Sequence, residues 1–207
     1  MNTITKVNEA IQRFQLLFAS KKDRKNNDKL IASLLNNAKY INFGKVKFDN
    51  LDTNEKLRMY LAYENNLLYG VLLKESEDLN SNSNDVKYYV STFSSQNLVI
   101  NNNLPSSTNP NSISYTTLDQ RIKAWEKDYY NWMTTNLDLG FLVQYFEIDA
   151  SNFSETSDNK GVFGLIPTAE ANYPKQLNYT NAVAIDFAIV NDGGYMDMVR
   201  PVPPFKP

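Results

Sequence analysis

Apolar residues recur at spacings of three and four along Ile4, Val7, Ile11, Phe14 and Phe18. That period places them on one face of an α-helix, and Thr3 stands where an N-cap belongs. A second, shorter helix is predicted over residues 28–37, with Leu30, Ile31, Leu34 and Leu35 inward. Residues 40–48 read as a strand broken at Gly44. The period then changes from helical to alternating. Leu57, Met59, Leu61 and Tyr63 alternate with Arg58, Tyr60, Ala62 and Glu64, and a second β-run covers residues 67–74. Asn65 and Asn66 stand between the two runs, and Asn tolerates the positive φ of a tight hairpin turn. Residues 75–85 form a polar loop, residues 86–93 a third strand and residues 97–100 a short fourth.

The stretch 101–114 is rich in Asn, Ser, Thr and Pro and reads as a linker. Beyond it, Thr117-Leu118-Asp119-Gln120 fits a capping box, and Leu118, Ile122, Trp125, Tyr129, Trp132 and Met133 mark a long helix. Strands follow at 141–149, 162–168 and 182–190, with a polar loop at 151–160. Asn191-Asp192-Gly193-Gly194 signals a turn into a last strand at 195–199. The prolines of residues 200–207 predict an extended tail, because proline lacks the donor that a sheet needs. The fold class is α+β, with antiparallel strands and covering helices. The units are residues 1–100 and 115–199, joined by 101–114 and able to pack as one domain.

The two halves align in part. Residues 4–15 match residues 115–126 without gaps, and Leu68-Tyr69-Gly70-Val71-Leu72 matches Val162-Phe163-Gly164-Leu165-Ile166. A duplicated α-β-β-β unit accounts for this. So does the resemblance that helical spacing imposes on any two amphipathic helices.

Composition narrows the chemistry. Among 207 residues there is no His and no Cys, against 13 Tyr, 11 Phe and 2 Trp. Histidine general base, thiol nucleophile and the usual zinc ligands are therefore absent. No phosphate-binding glycine motif is present, and no cofactor is expected. The formal net charge of −2 argues against nucleic acid as a partner. The basic cluster Lys21-Lys22-Asp23-Arg24-Lys25 reads as a solvated loop between helices. No stretch approaches the length and apolarity of a membrane span, and no secretory signal is visible. The expected compartment is cytoplasmic or otherwise soluble and intracellular, with a mature secreted form left open.

Two kinds of side chain remain as candidates. Carboxylates alone can run glycoside hydrolysis or hold a divalent cation. Asp186 is the acid to consider, since it shares a strand face with Ala182, Ala184 and Ala188, opposite the apolar face. Small neighbours leave room for a ligand, or for a helix packed close. The strand aromatics Tyr60, Tyr63, Tyr88, Tyr89, Tyr145 and Phe146 are the other group. Exposed rings stack sugars or partner surfaces, whereas buried ones simply build the core.

The segment Leu57-Arg58-Met59-Tyr60-Leu61-Ala62-Tyr63-Glu64-Asn65-Asn66, the run Leu68–Leu73 and the ending Tyr195-Met196-Asp197-Met198-Val199-Arg200-Pro201-Val202-Pro203-Pro204-Phe205 carry a resemblance. In them the chain resembles a group of small uncharacterised Bacteroidetes-type proteins with a Pro-Pro-rich C-terminus. Such tails usually carry cysteines, and this one has none. The resemblance implies no activity and no site residues. The reading that follows is a non-catalytic interaction or structural protein, with a protein partner or a second copy as its ligand. Its alternatives are a glycan- or small-ligand-binding module using the strand aromatics, and a carboxylate-dependent hydrolase centred on Asp186.

Overall fold

The computed structural model describes residues 3–19, 24–49, 55–77, 86–104, 109–138, 143–167, 183–197 and 200–202. Among the described residues there are three α-helices: α1 (Ile4–Ala19), α2 (Arg24–Asn37) and α3 (Tyr115–Asp138). The strands are β1 (Tyr40–Asn42), β2 (Lys56–Glu64), β3 (Leu67–Lys74), β4 (Tyr88–Ser94), β5 (Ser112–Ile113), β6 (Tyr145–Asp149), β7 (Lys160–Pro167), β8 (Val183–Asn191), β9 (Gly194–Met196) and β10 (Arg200–Val202). They form one 10-stranded sheet in the order β10-β6-β2-β3-β4-β1-β7-β8-β9-β5. The strand pairings are antiparallel throughout, as α+β patterning requires.

The halves of the chain interleave. β6, from the second half, pairs with β2, and β1, from the first, pairs with β7. β4 makes the bend: Tyr88–Thr92 pair with β3, while Phe93 and Ser94 turn to β1. The sheet thereby folds over itself. Phe146 of β6 lies 6.0 Å from Phe163 of β7 and 5.2 Å from Phe187 of β8, strands well apart in the order. Between the two layers sits the main core, which includes Leu57, Met59, Leu61 and Leu72 on one side and Leu165, Ile185 and Ile189 on the other.

Each outer face takes a helix. Val7, Ala10 and Ile11 of α1 pack on Tyr60, Ala62, Val71 and Leu73. Leu118 of α3 packs on Val162, Ala188 and Val190. Phe14 of α1 and Trp125 of α3, paired in the sequence alignment, both enter the main core. The strand part of the internal alignment pairs residues that face differently. Gly70 faces inward toward Ile41, Phe43 and Met59, whereas its aligned partner Gly164 faces outward toward Arg121 of α3. A one-residue slip of register moves every side chain to the other face.

Local chemistry explains most boundaries. The Lys6 N–H donates to Thr3 Oγ1 at 3.4 Å, so Thr3 caps α1 as the sequence predicts. α3 starts two residues before the predicted box: the Thr117 N–H donates to Ser114 Oγ at 3.1 Å, making Ser114 the cap. Asn65 and Asn66 have φ of 50° and 61°, the left-handed pair of a two-residue hairpin turn. Gly44, with φ +66°, stands beyond β1, so the predicted strand of 40–48 stops at Asn42.

Several expectations are corrected. α2 begins at Arg24, four residues early, and takes in the end of the basic cluster; Lys21–Asp23 lie outside the described residues. Residues 97–100 form no strand; Leu98 and Ile100 pack beside Val162 and Tyr195 instead. The predicted linker contains β5, which pairs with β9. Arg200–Val202, expected as tail, pairs with β6, and residues 203–207 lie outside the described residues. Proline is tolerated there because an edge strand bonds on one side only. Both sheet edges are thus short strands, one carrying Pro201, which blunts edge-to-edge pairing.

Candidate functional site

Asp186 lies on the β8 face that α3 covers, and it is 2% exposed. Its small neighbours make room for that helix. Gly164 stands opposite it on β7. A Cβ at Gly164 would lie 3.0 Å from Arg121 Cβ and 3.5 Å from Asp186 Oδ2. Glycine is thus the residue that lets α3 come close. Arg121 Nη1 donates to Asp186 Oδ2 at 2.9 Å and meets Asp197 Oδ2 at 2.6 Å. The Phe187 N–H donates to the other oxygen, Oδ1, at 2.8 Å. Burial first, and the charge of Asp197 next, push the Asp186 carboxyl up to about 6 against the pull of Arg121. Burial also lowers the Arg121 guanidinium, but the two carboxylates outweigh it and hold it above its ordinary value.

A carboxyl raised toward neutrality is a common property of general acids. This one has both oxygens engaged and a helix over it, so no substrate atom reaches it. The arrangement locks α3 to the sheet. Among the described residues, no group of three or more Asp or Glu side chains comes together to hold a metal ion.

The candidate aromatics do not assemble into a stacking platform. Tyr60 and Tyr145 are buried under α1, with ring centroids 5.2 Å apart, and the Arg58 guanidinium sits 4.8 Å from the Tyr145 ring. Phe146 is fully buried in the core. Tyr88 is half-buried beside the cluster under α1. The Tyr89 hydroxyl donates to the Lys47 carbonyl at 2.6 Å, and its ring meets Phe48 edge-on. The Tyr63 hydroxyl donates to Asn66 Oδ1 at 2.8 Å.

Two features escape the sequence reading. The first is an amide network in the loop 151–160, expected to be merely polar. Asn152 and Asn159 are fully buried. Asn159 Nδ2 donates to the carbonyls of Gly44 at 2.9 Å and Ser154 at 2.7 Å, and its Oδ1 accepts from the Ser154 N–H and from Asn191 Nδ2. Asn152 donates to the Asp197 carbonyl at 3.1 Å and accepts from Asn111 at 3.1 Å. These bonds tie five separate segments together. The only sequence signal was the abundance of Asn.

The second is a groove of about 510 Å³ between α2 and the tip of the β2–β3 hairpin. Leu34, Leu68 and Phe93 form its floor and also belong to the main core or pack against it. Leu30 and the exposed Leu67 flank that floor, and Ser33, Asn37, Asn66 and Ser95 add neutral polar groups. Among the described residues, none that lines it is ionisable. The volume is that of ordinary ligand pockets.

Comparison of the chain with protein-family models, with curated proteins and with solved structures gives no match. The site must be read from its own chemistry.

Among the described residues, no helix is long and apolar enough to cross a membrane.

Proposed function

We propose that this chain is a non-catalytic binding protein that holds a segment of a protein partner in the groove between α2 and the β2–β3 hairpin. The supporting observation is Leu67, a large apolar side chain left 48% exposed beside an apolar floor. Exposed apolar surface next to a concave apolar floor is where a partner side chain gains most by leaving water. The hydrolase reading loses support because Asp186 is closed over by Arg121 and α3. The glycan reading loses support because the candidate strand aromatics are buried, hydrogen-bonded or, for Tyr88, half-buried beside the cluster under α1, and Phe93 of the groove already stacks on Phe163 at 5.1 Å with 9° between planes.

The test is selection of random displayed peptides against the intact protein, followed by Leu67→Asp. Leu67 is exposed, so the variant keeps its circular dichroism spectrum. Binding of the selected peptides falls about tenfold or more if the groove is the site. Unchanged binding by the variant would refute the reading.

A further inference from the structure

We propose that α3 carries an oxidation site at Tyr130, to which the buried pair Trp125 and Trp132 passes a one-electron oxidation through Tyr129. The site is independent of the groove. Four rings of α3 stand in a continuous file. Between centroids, Trp132 lies 5.8 Å from Trp125, Trp125 lies 5.7 Å from Tyr129, and Tyr129 lies 6.5 Å from Tyr130. Helical spacing produces this file, since Trp125, Tyr129 and Trp132 share one face and the residue after Tyr129 turns away from it. Both indoles are 4% exposed, whereas Tyr130 is 53% exposed. The file therefore runs from the core to water.

Indole and phenol give up an electron far more readily than a phenylalanine ring does. On the core side Trp125 meets Phe163 at 5.0 Å, and Phe163 meets Phe146 and Phe187. Those rings close the inward direction, and Tyr129 opens the outward one. The Trp132 Nε1–H is buried and, among the described residues, finds no acceptor. Such an orphaned donor is uncommon enough to call for an explanation. An indole that loses an electron ordinarily releases this proton to a base. Trp132 has no base to take it, so its radical cation stays charged in an apolar core, which is costly. The hole moves on: Tyr129 refills the indole, and Tyr130 refills Tyr129. At Tyr130 the Oη–H bond breaks and its proton goes to water, leaving a neutral phenoxyl radical. Two such radicals on two molecules join carbon to carbon, and each ring returns its displaced hydrogen to its oxygen. One crosslink thus sends two electrons to the oxidant and two protons to water. The co-reactant is any one-electron oxidant strong enough to oxidise indole.

Light at the red edge of the indole band excites Trp and not Tyr. The intact protein is irradiated there with pentaamminechlorocobalt(III), which takes up the ejected electron irreversibly, and peptide mass mapping locates the oxidised residues. The expected result is a dityrosine-linked dimer joined at Tyr130. It is lost in Tyr130→Phe and in Tyr129→Phe, both of which keep the ring and the circular dichroism spectrum. Peroxidase with hydrogen peroxide, which oxidises exposed phenols directly, still crosslinks Tyr129→Phe. Products confined to Trp125 or Trp132, a crosslink through another tyrosine, or undiminished crosslinking of irradiated Tyr129→Phe would each overturn the proposal. So would failure of the peroxidase to crosslink Tyr129→Phe, or the absence of any product at Tyr130.

Discussion

Asp186→Asn tests whether the buried carboxyl is a structural group under α3. In the folded chain Asp186 is raised from 3.8 to about 6, chiefly by burial. Its folded form therefore holds a proton more tightly than its unfolded form does. The stability it contributes is fully present below the unfolded value and is lost as pH rises through about 6. The difference of about two pKa units corresponds to roughly 3 kcal/mol. Most carboxylates in folded proteins act with the opposite sign. Urea unfolding at a series of pH values from 4 to 8 provides the assay. Its reporters are Trp125 and Trp132, both 4% exposed and both on α3. Relative to Asp186→Asn, the wild type should lose roughly 2 kcal/mol of this between pH 4 and pH 7, since at pH 4 the unfolded carboxyl is already partly ionised. The variant itself keeps an oxygen for the Phe187 N–H and loses the attraction to Arg121. Parallel stability curves for the two proteins would refute the reasoning, because they would mean that the carboxyl titrates alike in both states.

The other stability predictions concern packing. Gly164→Ala places a methyl 3.0 Å from Arg121 Cβ and forces α3 away from β7, which should cost about 1–3 kcal/mol in chemical denaturation. Asn159→Ala strands the Ser154 N–H and removes the side-chain bond to Gly44, whose carbonyl keeps the Asn159 backbone N–H; it should lower stability by about 1–3 kcal/mol while leaving the far-UV circular dichroism unchanged.

Much of the fold was legible because local pattern and tertiary packing agree. The stripes of α1 and α3 are set by the faces they bury, and Asn65-Asn66 has little choice but a tight turn between alternating strands. Boundaries failed where the deciding partner is distant in sequence. Arg200-Pro201-Val202 is a strand only because β6 offers an edge, and no local rule reveals that edge. The alignment of Gly70 with Gly164 failed for the same reason, since the face a strand residue takes depends on which layer receives it.

The candidate site was less legible still. The small neighbours of Asp186 on β8 do signal close approach, but only the structure decides between a ligand and α3. The strand aromatics were spread over both faces, and each found a neighbour or a core position rather than a common surface. The groove joins residues of α2, β3 and β4 whose separate patterns look like ordinary core and turn. The loop 151–160 looked solvated because Asn is polar, yet two of its Asn side chains are buried and satisfied by carbonyls from other segments.

The most direct measurement is a titration of ¹⁵N-labelled protein with a peptide selected on the intact protein, followed amide by amide. Saturable shifts at Ser33, Leu34, Asn37, Asn66, Leu67, Leu68 and Ser95, with the amides around Asp186 unmoved, are the predicted result. Shifts centred on another face, or none in the groove at saturation, would contradict it.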